Sequence, residues 1–145
     1  MSVSNLDDFR ALEPFFAVIE KGLDGLVDGD HFFDLLADDI VTEFVITVPG
    51  YPKRVEGREN LAELYRGYGN TIMLERGSDL AVHYDRDASV VVLEYAVHGH
   101  IVATGRQYAN RFVSVITIQD RKVTHWRDYL DPLAVFEALG TNVPA

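Results

Sequence analysis

Ten residues near the C-terminus, Val123-Thr124-His125-Trp126-Arg127-Asp128-Tyr129-Leu130-Asp131-Pro132, carry the candidate chemistry around which the chain can be read. An extended strand sends alternate side chains to opposite faces. That predicts Val123, His125, Arg127 and Tyr129 on one face, and Thr124, Trp126, Asp128 and Leu130 on the other. The second face sets one carboxylate between a tryptophan and a leucine. Lining a closed pocket, Asp128 would be partly desolvated and its pKa raised, which suits general acid/base work. Facing water, or paired with an arginine at a sheet edge, it would be only a surface charge. Asp131 reads differently. It directly precedes Pro132, the arrangement of an N-cap aspartate and an N1 proline, and is expected to be structural.

Two further stretches place polar groups at strand spacing. Tyr108, Asn110, Phe112, Ser114 and Ile116 alternate onto one face. There a tyrosine and an amide could orient a ligand oxygen, or Tyr108 could be a core tyrosine bonded to a backbone carbonyl. Glu94, Ala96, His98 and His100 share another face, opposite Tyr95, Val97 and Ile101. His98-Gly99-His100 invites a metal reading, yet Cα atoms two apart on a strand lie roughly 6.5–7 Å apart and metal sites commonly need a third ligand. No metal is expected. Glu94 and His98 are instead candidates for the mouth of a pocket, and His100 for a solvated strand end. Ser114 lacks a nucleophile-elbow context. Gly67-Tyr68-Gly69 ends a helix instead of opening one after a strand, so no phosphate loop is indicated.

The elements that must position these residues follow from periodicity. Residues 6–27 repeat apolar side chains at helical steps (Leu6, Phe9, Leu12, Phe16, Ile19, Leu23, Leu26), with Asn5 as candidate cap. A short helix is expected over 29–36 with Asp30 as cap, and a strand over 40–48, rich in β-branched and aromatic residues. Pro49-Gly50-Tyr51-Pro52 reads as a turn. A third helix is expected over 58–67, with Leu61, Leu64 and Tyr65 on one face. Four consecutive strands follow, over 71–84 (broken near Arg76-Gly77-Ser78), 89–102, 105–119 and, after a turn at Asp120-Arg121-Lys122, from Val123 onward. A closing helix over 133–139 is expected to bury Leu133, Val135, Phe136 and Leu139. Consecutive strands on short turns make an antiparallel meander, and helices segregated from strands mean α+β. A curved sheet with helices on its concave face would leave a pocket between the layers.

Bulk properties bound the partners. With 145 residues and 48% apolar side chains, one domain with a sizeable core is expected. The chain has no cysteine, which excludes disulfides and thiolate chemistry and, with an acidic N-terminus lacking an apolar signal core, fits a cytoplasmic protein. No apolar run is long enough for a bilayer, so no membrane partner is expected. The net charge of −10 is concentrated in residues 1–43, where eleven Asp or Glu face Arg10 and Lys21. With no basic stripe to follow a phosphate backbone, no nucleic acid is expected.

The segments Gly105-Arg106-Gln107-Tyr108-Ala109-Asn110-Arg111-Phe112 and Trp126-Arg127-Asp128-Tyr129-Leu130-Asp131-Pro132-Leu133, the terminal Ala138-Leu139-Gly140 and the helix opening Gly57-Arg58-Glu59-Asn60-Leu61-Ala62 together resemble a known family. They are similar to the SnoaL-like polyketide cyclases, of the superfamily that includes ketosteroid isomerase, scytalone dehydratase and nuclear transport factor 2. Within it they come nearest to the phenazine-biosynthesis A/B proteins. The resemblance implies a cone-shaped, curved antiparallel (mixed) sheet with helices on its concave face. It matches Asp128 to a pocket acid and Tyr108 to a pocket tyrosine. The histidine those phenazine proteins carry on the third helix falls here at Leu64. The Trp-Arg-Asp triplet also resembles limonene epoxide hydrolase, whose Arg-x-Asp would fall near Glu94-Tyr95-Ala96 and is not there. A superfold of this kind hosts many reactions.

The expectation is a cofactor-free isomerase, cyclase, dehydratase or hydrolase acting on an apolar, cyclic small molecule. Asp128 would move the proton and Tyr108 would orient or polarise an oxygen. Trp126, Asn110, Phe112 and Leu130 would contact the ligand, with Glu94, His98 and Leu64 at its margins. A ligand- or protein-binding module of the same fold, without chemistry, is the alternative. An apolar outer face on the strand from Arg106 (Ala109, Val113, Val115) points to a homodimer formed sheet to sheet.

Overall fold

In the computed structural model, residues 3–46 and 50–140 are described. Three α-helices and six strands make an α+β fold: α1 (Glu13–Gly22), β1 (Leu36–Phe44), β2 (Arg54–Glu56), α2 (Arg58–Arg66), β3 (Ile72–Asp85), β4 (Val90–Ile101), β5 (Gln107–Gln119), β6 (Lys122–Leu130) and α3 (Pro132–Leu139). The sheet runs in the order β2-β1-β6-β5-β4-β3. β1 lies parallel to β6 and the other pairs are antiparallel, so the sheet is mixed and the expected meander forms its larger half. None of the described helices is long and apolar enough to cross a membrane.

The N-terminal helical region divides where Pro14 enters. A proline has no N–H to give and is favoured in a first turn, so residues Leu6–Leu12 form 3₁₀ turns and the α-helix starts at Glu13. It ends at Gly22. Asn5 is left-handed (φ 58°) and makes no side-chain cap, and Leu6 is exposed. The helix expected over 29–36 is a single 3₁₀ turn, Phe32–Leu35, capped by His31, whose Nδ1 accepts the Phe33 amide at 3.4 Å, and not by Asp30. Adjacent residues cannot share one helix face, yet Phe32 and Phe33, like Leu35 and Leu36, are all buried. An extended chain satisfies that demand, so β1 begins at Leu36, earlier than expected. Thr47, Val48 and Pro49 lie outside the described residues, while the short β2 was not anticipated.

Buried positions alternate along the meander. On β4, Val91, Leu93, Tyr95, Val97 and Gly99 face inward; on β5, Tyr108, Asn110, Ser114 and Ile116 do. Register brings Ser114 opposite Asp128, Ile116 opposite Trp126 and Phe112 opposite Leu130. Thr124 is an extra residue at the Thr117/Ile118 register shift. A bulge of this kind resets the alternation, which is why Val123, expected on the outer face, is fully buried. β3 is continuous through Arg76-Gly77-Ser78, with register shifts on either side of it. Two glycines allow close approach. A Cβ on Gly77 would come within 2.2 Å of Val18 Cγ2 on α1, and one on Gly99 within 2.1 Å of the Met73 carbonyl oxygen.

Five phenylalanines from the N-terminal region pack under the sheet. Phe16 stacks on Phe32 (centroids 4.3 Å apart, planes 11° apart) and meets Phe9 and Phe33 edge-on or tilted. α3 is capped as expected, with Asp131 Oδ1 accepting the Leu133 amide at 3.0 Å. The helix buries less than expected. Leu133 and Leu139 are exposed and Val135 and Phe136 are half-buried, leaving Ala138 as its buried residue. On the outer sheet face Val113 and Val115 are half-buried and Ala109 is exposed.

Candidate functional site

β6 delivers Asp128 to the inner face with 3% of its surface exposed. Ser114 Oγ donates to its Oδ1 at 2.7 Å, and Trp126 Nε1 donates to the same oxygen at 2.5 Å. The Ser114 hydroxyl in turn lies 2.8 Å from the Tyr95 hydroxyl, whose proton completes the chain. Both donors converge on Oδ1, so among the described residues Oδ2 has no hydrogen-bond partner. Desolvation pushes the Asp128 carboxyl up to about 6, against the smaller opposing effect of the Ser114 and Trp126 hydrogen bonds.

The carboxylate lies in the wall of a cavity of about 140 Å³. Phe44, Phe112, Leu74, Val97, Leu130 and Val135 supply apolar surface. Tyr51, Tyr65, Tyr68 and Tyr108 supply hydroxyls. Burial raises the pKa of all four tyrosines, and the negative charge of Asp128 adds to the rise at Tyr51 and Tyr65. Tyr108 is pushed up to about 12, its burial partly offset by hydrogen bonds from Asn110 and Tyr68. Its oxygen accepts Asn110 Nδ2 at 2.9 Å. The Tyr108 hydroxyl accepts there and keeps its own proton to give. The site therefore offers one carboxylate able to take or return a proton and one phenol able to donate a hydrogen bond, in a largely apolar cavity.

Several expected contacts lie elsewhere. Trp126 does not line the cavity; it stands behind the carboxylate, against Phe15 and Phe32. Asn110 is a clamp: its Nδ2 also bonds the Asp131 carbonyl at 3.1 Å and its Oδ1 accepts the Asp131 amide at 3.0 Å, fixing β5 to the start of α3. Glu94 and His98 are on the outer face of β4, because Tyr95 and Val97 take the inner one. Glu94 pairs with His83 at 2.7 Å and His98 with Ser78 at 3.0 Å, while His100 meets Glu75 at 2.9 Å. On α2, Leu61 and Tyr65 take the inner face four residues apart and Tyr65 reaches the cavity; Leu64, one position off, is half-buried against the core and does not line the cavity. Phe112 and Leu130 do line it, with Phe112 stacked on Tyr95 (5.4 Å, 4°). Tyr51, Tyr65 and Tyr68 were not foreseen as cavity groups, nor Ser114 as the donor to Asp128.

A SnoaL-like domain model matches residues 12–126, most of the chain. The protein belongs to the SnoaL-like family. A Bacillus subtilis relative, the uncharacterised protein YesE, is 33% identical over 113 residues, covering 78% of this chain and 77% of that one. A PhzA/B-like protein of Pseudomonas aeruginosa, also uncharacterised, is 28% identical over 78% of this chain and 79% of its own. A B. subtilis protein provisionally described as an isomerase superposes with a TM-score of 0.74 at 29% identity, covering 95% of this chain and 97% of that one. The sheet, curved but not closed, has the nuclear transport factor 2-like fold. In this SnoaL-like protein the cavity thus lies where β4, β5 and β6 face the helices.

Asp128 also ties the site to stability. In the folded chain it keeps its proton up to about 6, against 3.8 when free. Below both values the two states are equally protonated; between them the folded state binds more protons. Stability therefore falls as pH rises through this window, by on the order of 3 kcal/mol once above it. Urea unfolding of wild type and Asp128→Asn from about pH 4 to 7 should show the difference growing in favour of the variant. A pH-independent difference would mean that Asp128 is not desolvated.

Proposed function

We propose that this SnoaL-like protein is a cofactor-free enzyme of the isomerase or cyclase type. It would transfer a proton at a carbon next to the carbonyl of a small apolar ring. The observation that carries this is the unpartnered Oδ2 of a buried carboxylate in the same cavity as a phenol with a free proton. Asp128 takes the proton, and Tyr108 donates to the carbonyl oxygen as negative charge gathers there. The low-polarity wall strengthens both interactions. A cavity of about 140 Å³ is close to one that holds a benzene ring, so the proposed substrate is a single ring instead of a fused polycycle. The provisional isomerase description of the B. subtilis relative agrees with this class.

The test is solvent-deuterium exchange into a panel of cyclic ketones, followed by NMR. Exchange should rise with pH through about 6 as Asp128 ionises. Tyr108→Phe should slow it by roughly 2- to 13-fold, the worth of one neutral hydrogen bond, and more if the bond is to developing charge. An unchanged rate removes Tyr108 from the mechanism. One observation favours the alternative of a binding module: among the described residues the other polar groups lining the cavity are tyrosines, so Asp128 has no second acid or base titrating near neutrality. Ligand binding with no exchange across the panel would select it.

We further propose a homodimer through the outer sheet face, where Val113, Val115 and Tyr129 sit half-buried among Glu94 and Arg111. Sedimentation should give a dimer at micromolar concentration; a monomer would sink this.

A further inference from the structure

We infer that the cavity takes a small organic ammonium ion, held by the aromatic rings around it and by the free oxygen of Asp128. Half of the residues lining it are aromatic, contributed by α1 (Phe15), β1 (Phe44), the segment after it (Tyr51), α2 (Tyr65), the turn that follows (Tyr68) and the meander (Tyr108, Phe112). Asp128 is its one charged lining group, and no Lys, Arg or His lines it among the described residues. Aromatic enclosures recognise alkylated ammonium ions because each ring presents negative charge on its face, and desolvation strengthens the attraction.

The charge balance points the same way. A buried carboxylate without a cationic partner is costly to ionise. Here the groups acting on Asp128 are the hydroxyl of Ser114 and the indole of Trp126, with Tyr51 from its loop, Tyr65 from α2 and Tyr95 from β4 sharing its field; no cation contributes. A bound ammonium supplies the missing counter-charge to Oδ2. Size agrees too, since tetramethylammonium has about the bulk of the benzene that a cavity of this order holds. A phosphate or carboxylate ligand is disfavoured by the same charge. The inference rests on the placement of Asp128 and the rings, and it needs no turnover, so it stands or falls separately from the proton-transfer reading.

The test is binding of tetramethylammonium chloride against tert-butanol, a neutral probe of the same heavy-atom count, to the full chain. Chemical shifts of Tyr and Trp side chains report it, with sodium chloride as the ionic-strength control. At about pH 8, with Asp128 ionised, the cation should bind roughly tenfold or more tighter than the alcohol. That preference should shrink as pH falls to about 5 and vanish in Asp128→Asn. The pH series on wild type keeps the test decisive should the variant misfold. Equal affinities at the higher pH, or a preference that survives both protonation and substitution, would overturn the inference.

Discussion

Asp128→Asn is expected to lower turnover by roughly 10²- to 10⁴-fold, the usual contribution of a positioned acid or base. The substitution is well suited to isolating that role. An asparagine Oδ1 can still accept from Ser114 and Trp126, so the two bonds that hold the side chain survive. The amide nitrogen then takes the position of Oδ2, the atom without a protein partner, and cannot accept a proton. Fold and cavity should be retained while the chemistry is lost. Burial without a counter-ion is what raises the carboxyl to about 6, so at neutral pH the variant should also be the more stable protein. Stability gained with activity lost is the signature of a strained functional group. The measurement is exchange kinetics beside urea unfolding at pH 7. A variant that exchanges substrate protons like wild type would end the acid/base role of Asp128; one that loses activity through unfolding would contradict its desolvation.

What could be read from the sequence was local and periodic. Two-residue alternation put Asp128 between Trp126 and Leu130 on one face, and the register with Ser114 and Phe112 bears that placement out. It failed at Val123, because a bulge at Thr124 is created by the pairing of two strands and leaves no mark in either alone. The same limit explains Glu94 and His98. Alternation correctly separated them from Tyr95 and Val97, yet only the packing of helices on one side decides which set is inside. Asn110 faces inward as expected, but its amide is fully occupied by Tyr108 and by the backbone of Asp131. The unforeseen tyrosines reach the cavity from α2 and from irregular segments, where no period operates. Tyr68 sits between Gly67 and Gly69, and Tyr51 between Gly50 and Pro52. An aromatic residue set among turn formers was the available signal.

The largest stability effect is expected at Phe16, which is far from the carboxylate in sequence but supports it through contact. Phe16 is fully buried at the centre of the phenylalanine cluster, stacked on Phe32 and touching Phe9, Phe15 and Phe33. Phe32 in turn meets Trp126 edge-on at 5.9 Å, and Trp126 holds Asp128. Phe16→Ala removes a ring from a packed interior that cannot fully collapse, which costs about 3–5 kcal/mol. That is a large share of the roughly 5–15 kcal/mol that holds a typical domain together. Helix propensity does not offset it, since alanine gains only a few tenths of a kcal/mol over phenylalanine. Phe16→Leu refills part of the volume and should recover a good part of the loss. The expected result is a urea midpoint far below wild type for the alanine variant and an intermediate one for leucine. If the loosened cluster lets Trp126 move, the Asp128 carboxyl will lose one of its two hydrogen bonds and titrate higher still, because that bond favours the ionised form. Should Phe16→Ala unfold at the wild-type midpoint, the aromatic cluster is not what seats the helices on the sheet.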